Sequence, residues 1–427
     1  MEYWSTTLRK QTLKILFVGL MLTHSLISAQ TISTYSGLGL GDIIRPAFAN
    51  HIGNGLGLSK GEFWFVNQMN PALLPYNQAT TFQAGLGFET KTVSQNDIQD
   101  TYSSFNMLYL GTAIPAWAGK WTFAIGVQPY SRVLYNFATS ISIPGSGGTA
   151  EITNQGSGGF NQAYFSNGFK IWKNLSVGIK ASYIFSSIIK ESSTVIGDSL
   201  DPSRSARSVL QRTNAKDVIF STGISYKHNI SKDISANYGV TFDPETKISA
   251  ERFERLDIRT PAGTVLDVDT IANDLPGSYR LPQRWGAGIS FNEGFKWSVG
   301  AEFEYQQWNR FKDFSGNNNY FQDGFSIRVG GDIVPNPIAI ENYLNRITYR
   351  LGLSYDKLPF TISGEDIAEY GVNFGWSMPV SRISYIDFGM RYAVRGSTKN
   401  NLIRENFFQL HIGFTFNDRW FLRTAFD

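Results

Sequence analysis

The stretch LSVGIKASYIFSS, Leu175–Ser187, decides how the chain folds. Leu175, Val177, Ile179, Ala181, Tyr183 and Phe185 alternate with Ser176, Gly178, Lys180, Ser182 and Ser186. An apolar side chain at every second position is the signature of a strand with one apolar and one polar face. The pattern recurs at Trp297, Val299, Ala301, Phe303 and Tyr305, set against Lys296, Ser298, Gly300, Glu302 and Glu304. It returns near the end at Phe408, Leu410, Ile412, Phe414 and Phe416, set against Gln409, His411, Gly413 and Thr415. In a soluble sandwich the apolar face would form the core. In an outer-membrane barrel it faces lipid, and the polar face with its full charges lines the lumen.

Strand count separates the two. The alternation predicts strands near 80–90, 104–115, 120–137, 158–172, 175–190, 208–227, 234–245, 283–291, 295–309, 324–334, 345–357, 366–377, 383–395 and 405–417. These are fourteen, and bacterial single-chain barrels use even numbers. Short connections such as Trp117–Gly119, Lys173-Asn174 and Asn292–Gly294 alternate with long polar ones, Ser140–Ser157, Glu191–Ala206, Thr246–Pro282 and Arg310–Asp323. Pro335–Leu344 is a longer exception on the short side. This is the rhythm of periplasmic turns and outer loops. Trp117, Trp121, Trp172, Trp285, Trp297, Trp308 and Trp376 fall near strand ends, where interfacial girdles form. The fold class expected is an all-β, 14-stranded antiparallel transmembrane β-barrel.

Composition agrees. Of 427 residues, 15% are aromatic and 17% charged, with 41 Gly and no Cys. The charge is below the roughly 25% of soluble domains, and the mean hydropathy of -0.18 is too polar for a helical membrane bundle. Absent Cys removes disulfides and thiolate metal sites. A formal net charge of +3 gives no footprint for nucleic acid. Arg9, Lys10 and Lys14 precede the apolar run Ile15–Ile27 and the small-residue site Ser28-Ala29-Gln30. That reads as a Sec-type signal peptide over 1–29, cut near Ala29. Residues 30–78 show no clean alternation yet hold Ile43, Ile44, Phe48, Phe63, Trp64 and Phe65, too apolar for a free tail. Fourteen strands enclose a lumen wider than their own side chains fill, so 30–78 is expected to be an N-terminal hatch and 79–427 the barrel.

Asn70-Pro71-Ala72, GVQPYSRVLYNF from Gly126, LPQRWGAGIS from Leu281 and the ending from Asn401 together resemble the FadL/TodX family of outer-membrane channels, in a branch typical of Bacteroidetes-type Gram-negative envelopes. The first is similar to its NPA motif, and the second to its third strand with a Pro-aromatic pair. LPQRWGAGIS from Leu281, FEYQQWNRFKDF from Phe303, YRLGLSYDKLPF from Tyr349 and the ending from Asn401 come in the family's order. The resemblance implies a hatch-bearing barrel for passive uptake of hydrophobic small molecules, of the long-chain fatty acid or aromatic hydrocarbon type. In that family, cargo leaves sideways through a gap at a kinked third strand. Gln306-Gln307-Trp308 and the loops depart from the pattern and leave the cargo open.

Pro129 is the first candidate residue. It cannot donate to a strand ladder and so can interrupt the wall; equally, it suits an outer rim. Asn70, Pro71 and Ala72 are candidates for a hatch turn. In the long loop, Phe253 and Leu256 offer apolar capture, and Arg255 and Arg259 a partner for a carboxylate, although the same residues could pack on one another. Asp267, Asp269 and Asp274 match no calcium-loop spacing. Lumen charges, Lys180, Glu302, Glu304, Arg328, Arg350, Asp356, Asp387, Arg391 and Arg395, are expected to pair between wall and hatch. No metal or cofactor is expected, and scattered His51, His228 and His411 build no catalytic triad. Expected partners are outer-membrane lipid and lipopolysaccharide, hydrophobic small molecules and other outer-membrane proteins, without nucleic acid. The alternative to a channel is an accessory barrel in a larger secretion or assembly complex of the outer membrane.

Overall fold

Alternation is realised as expected. In β7 (Leu175–Ile196) Ile179, Tyr183 and Phe185 are exposed on the outside, while Ser176, Lys180 and Ser182 are buried inside. The computed structural model describes residues 32–143, 148–196, 205–260, 263–318, 320–381 and 383–418. The expected signal peptide over 1–29 and its expected cleavage near Ala29 lie outside them.

A short strand β1 (Asp42–Ile43) and helix α1 (Ala49–Asn54) precede the wall. The wall runs through β2 (Thr80–Gln95), β3 (Ile98–Trp117), β4 (Trp121–Pro129), β5 (Ser131–Ser142), β6 (Thr149–Lys170), β7 and β8 (Ala206–Asn229). It continues through β9 (Ile234–Asp243), β10 (Thr246–Arg259), β11 (Val265–Leu281), β12 (Arg284–Glu293), β13 (Trp297–Gln306) and β14 (Gly324–Ile333). It ends with β15 (Thr348–Ile362), β16 (Glu365–Pro379), β17 (Tyr385–Gly396) and β18 (Arg404–Asp418). Three crossings are interrupted: β4/β5 at Tyr130, β9/β10 at Pro244-Glu245 and β11/β12 at Pro282-Gln283. Counted as single crossings, they make fourteen antiparallel strands, and β18 pairs with β2 from Arg404–Ser94 to Asp418–Thr80 to close the barrel. The exposed apolar band and closed wall make this a transmembrane β-barrel of the outer-membrane type.

Two expectations are corrected. Three of the four long outer connections hold strand where loop was expected: β5 runs to Ser142, β7 to Ile196, and Thr246–Pro282 is the β10–β11 hairpin, while Arg310–Asp323 holds no strand among its described residues. Above the bilayer both faces meet water, so backbone pairing continues without apolar alternation. Trp308 is no girdle residue. It is buried against Phe311 and Phe321.

Residues 33–78 pack against the lumen side of the wall. Helix α1 lies on β15, β16 and β17, and the turn Pro71–Tyr76 on β6, β7 and β8. Glycine permits this approach: a Cβ on Gly178 would meet the backbone of Pro71, and one on Gly223 the side chain of Asn70.

Candidate functional site

The wall is interrupted at its third crossing. β4 pairs with β3 from Leu110–Val127 to Ile114–Phe123, and again at Trp117–Trp121. Pro129, without an N–H, ends β4. Past it, Tyr130 donates to the Phe160 carbonyl at 2.8 Å, and β5 continues along β6 from Val133–Gly158 to Ser142–Thr149. β5 forms no ladder with β3, whose residues from Ile98 to Tyr109 pair with β2. The sheet therefore has two facing edges where a continuous wall would have hydrogen bonds.

The N-terminal segment occupies the lower part of the β5 edge. Asp42 pairs with Arg132 and Ile43 with Ser131. The Ile44 N–H donates to the Tyr130 carbonyl at 2.9 Å, and the Ser33 N–H to the Leu134 carbonyl at 2.8 Å. Above Tyr135 that edge carries exposed Phe137 and Ile141.

Ion pairs fasten the same segment to β2, β13, β14 and β17. Asp42 meets Arg395 at 2.8 Å and Lys91 at 3.7 Å; Glu405 joins both cations and accepts from the Ser33 hydroxyl at 2.8 Å. Glu302 binds Arg45 at 2.9 Å and accepts the N–H groups of Gly57 and Leu58. Glu304 holds Arg328 at 2.9 Å, Arg328 holds Asp356 at 2.7 Å, and Lys60 holds Asp332 at 2.8 Å. A buried carboxylate survives only when its lone pairs are filled in this way. Of the lumen charges expected to pair, Glu302, Glu304 and Arg395 form ion pairs with the N-terminal segment, and Arg328, Asp356 and Arg391 pair within the wall. Lys180, Arg350 and Asp387 form none and are hydrogen-bonded instead, Lys180 to the Gln68 carbonyl, Arg350 to Ser377, and Asp387 to Ser377 and Thr415. Missed from the sequence were Asp42, Arg45, Lys60, Lys91, Glu369 and Glu405, although the acid-base-acid rows on adjacent strands were a usable signal. His51 on α1 is buried, its Nε2 3.4 Å from Glu62. Burial disfavours its charged form and, outweighing Glu62, brings its pKa down to about 4.

Two cavities adjoin the interruption. One, of about 320 Å³, lies between the segment and the wall and is lined by charge, including Asp42, Arg45, Glu89, Arg132, Arg328 and Arg391. The second, of about 380 Å³, sits at the outer end and is largely apolar, lined by Tyr35, Leu38, Tyr135, Phe137, Ile362 and Leu402.

The expected site residues are distributed over three places, and none of them lines either cavity. Pro129 ends β4. Asn70, Pro71 and Ala72 are buried near the short turns, where Asn70 Oδ1 accepts the Ala72 N–H at 3.0 Å and its Nδ2 donates to the Leu58 carbonyl at 2.7 Å. Phe253, Arg255, Leu256 and Arg259 lie on β10, half-buried. Asp257 there holds Arg255 at 2.8 Å and Arg259 at 2.6 Å, and Glu191 holds Arg259 at 2.7 Å, so both guanidinium groups already have carboxylate partners.

Solved structures share this architecture. The Ralstonia pickettii toluene transporter TbuX aligns at 13% identity over 90% of this chain and 99% of its own, with a TM-score of 0.56. A Pseudomonas aeruginosa FadL homologue aligns at 12% identity over 89% and 100%, with 0.56. The Pseudomonas putida toluene transporter TodX aligns at 14% over 90% and 100%, with 0.54. At such identities the likeness establishes the fold, that of the FadL-type outer-membrane barrel. No curated protein sequence matches. A profile of the BamG family matches residues 11–427, nearly the whole sequence, and the chain therefore belongs to the BamG family.

Proposed function

We propose that this barrel passes hydrophobic small molecules sideways from an outer capture pocket toward the membrane. The observation carrying this reading is the unladdered gap between β3 and β5 beside the apolar outer cavity. Tyr35, Leu38 and Phe137 offer burial at about 0.8 kcal/mol per CH2, and a cargo leaving along β5 would bypass the charged chamber below. The toluene transporters of the same fold support the same class of cargo. Binding of the apolar fluorophore 1-aminoanthracene to the purified protein in detergent tests it. Replacing Leu38 or Phe137 with Asp should weaken binding at least tenfold; binding unchanged by both would reject the pocket.

A second reading is favoured by the charged chamber and by the ion pairs that lock residues 42–60 to the wall. Both suit an accessory barrel held rigid within a larger outer-membrane secretion or assembly complex. Native mass spectrometry after gentle extraction separates the two. A monomer carrying an apolar ligand supports the channel, and a ligand-free complex with other envelope proteins supports the accessory role.

A further inference from the structure

We propose that the free edge of β11 is a docking strand for an extended segment, alternating basic and apolar residues, of another protein at the cell surface. Strand β10 is paired on both sides, by β8 and by β11. β11, among the described residues, is paired in a ladder by β10 alone. Among the described residues its other edge meets nothing until Arg280, which bridges Lys312 at the base of the hairpin. Every side chain from Val265 to Ile271 is exposed, on both faces. Leu266 is 62% exposed and Ile271 55%. An open strand edge with exposed apolar side chains is a template for another strand.

Height excludes bilayer lipid as the cover. The lipid-facing side chains of β8 include Val218 and Phe220, and the row Lys216–Ser249 lies just above them. The row Val209–Leu256–Asp269 stands seven residues further out, roughly 20 Å along the strand. Charge excludes a second copy of the chain. Asp267, Asp269 and Asp274 have no ion-pair partner among the described residues, and Asp267 and Asp269 face Ile258 and Leu256 across the hairpin. The nearby cations Arg255 and Arg259 are held by Asp257 and Glu191. Two such edges would set carboxylate against carboxylate, whereas a strand with Lys or Arg at every second position sets opposite charges in register.

The test uses the full-length protein in detergent micelles and three labelled octapeptides read by fluorescence anisotropy. These are alternating Lys-Val, alternating Glu-Val, and Lys-Val N-methylated at alternate residues. The expected result is binding of Lys-Val and of neither other peptide. The double substitution Asp267→Lys with Asp269→Lys should weaken Lys-Val at least tenfold and admit Glu-Val. Equal binding of the N-methylated peptide would overturn strand addition in favour of bare charge attraction. Absent binding of Lys-Val, or a dimer seen by light scattering that the double substitution abolishes, would overturn the proposed partner.

Discussion

Glu302 shows how one side chain can position a whole segment. It projects from β13 into the lumen, neutralises Arg45, and takes the N–H groups of Gly57 and Leu58 that no strand serves. Glu302→Ala strands two buried donors and leaves Arg45 with Glu304 and the Gly55 carbonyl alone, a loss of about 3 kcal/mol. Glu302→Gln keeps the acceptor and should cost clearly less. Urea unfolding followed by heat-modifiable migration on gels checks the ranking. His51 adds a dependence on pH. Its folded pKa of about 4 lies below the ordinary value near 6.5, so between them the unfolded chain binds more protons. Its contribution to stability is therefore intact above pH 6.5 and declines as pH falls toward 4, by about 3 kcal/mol at most. Subtracting the profile of His51→Gln from that of the native protein should isolate this slope, and parallel profiles would refute it. Such roles were only half legible in sequence. Glu302, Glu304 and Arg328 announce a charged lumen by alternating with apolar residues, but Arg45 and Asp42 sit in a segment without periodicity.

Elements were most legible where two solvents meet at the wall. Between lipid and lumen each strand must alternate, and β7, β13 and β18 do so plainly. Above the bilayer that constraint lapses. VLDVDTIANDL, the start of β11, mixes apolar and acidic residues because both of its faces are exposed, and so it resembles a loop. The interruptions after Asp243 and Leu281 are equally hard to see, since Pro244 and Pro282 look like loop boundaries. Pro129 is visible by its missing N–H, but its effect depends on β5, the strand after it, whose lower edge alone is taken by β1. Pro129→Val restores one donor and should extend the β3–β4 ladder. If cargo crosses at this gap, uptake of a labelled aromatic probe by cells should slow severalfold. Uptake at the native rate in a correctly assembled variant would remove Pro129 from the path.

At the scale of the molecule, periodicity specified the barrel and was silent on its cargo. Lipid selects the outside, whereas transport depends on an inside whose contacts join residues hundreds of positions apart, such as Ser33 with Glu405. Residues 33–78 fill much of that inside. A variant lacking 32–78 should show large, steady conductance steps in planar bilayers, because fourteen strands leave an aqueous lumen. The intact protein should show small ones. Silence from a heat-modifiable, folded deletion variant would mean that the wall itself collapses inward.

The seam between β2 and β18 has a consequence for how the closed ring holds. It joins the last strand to the first wall strand, and β18 contributes Glu405, which holds Ser33. Asp42 pairs with Lys91 on β2 and Ser33 donates to Glu405 on β18, so the N-terminal segment bridges the seam from inside. Without it Arg395 would lose Asp42, Glu405 would lose Ser33, and the β5 edge would be bare. The segment thus acts as an internal clasp across the seam, making the closed ring harder to unzip once residues 33–78 are seated.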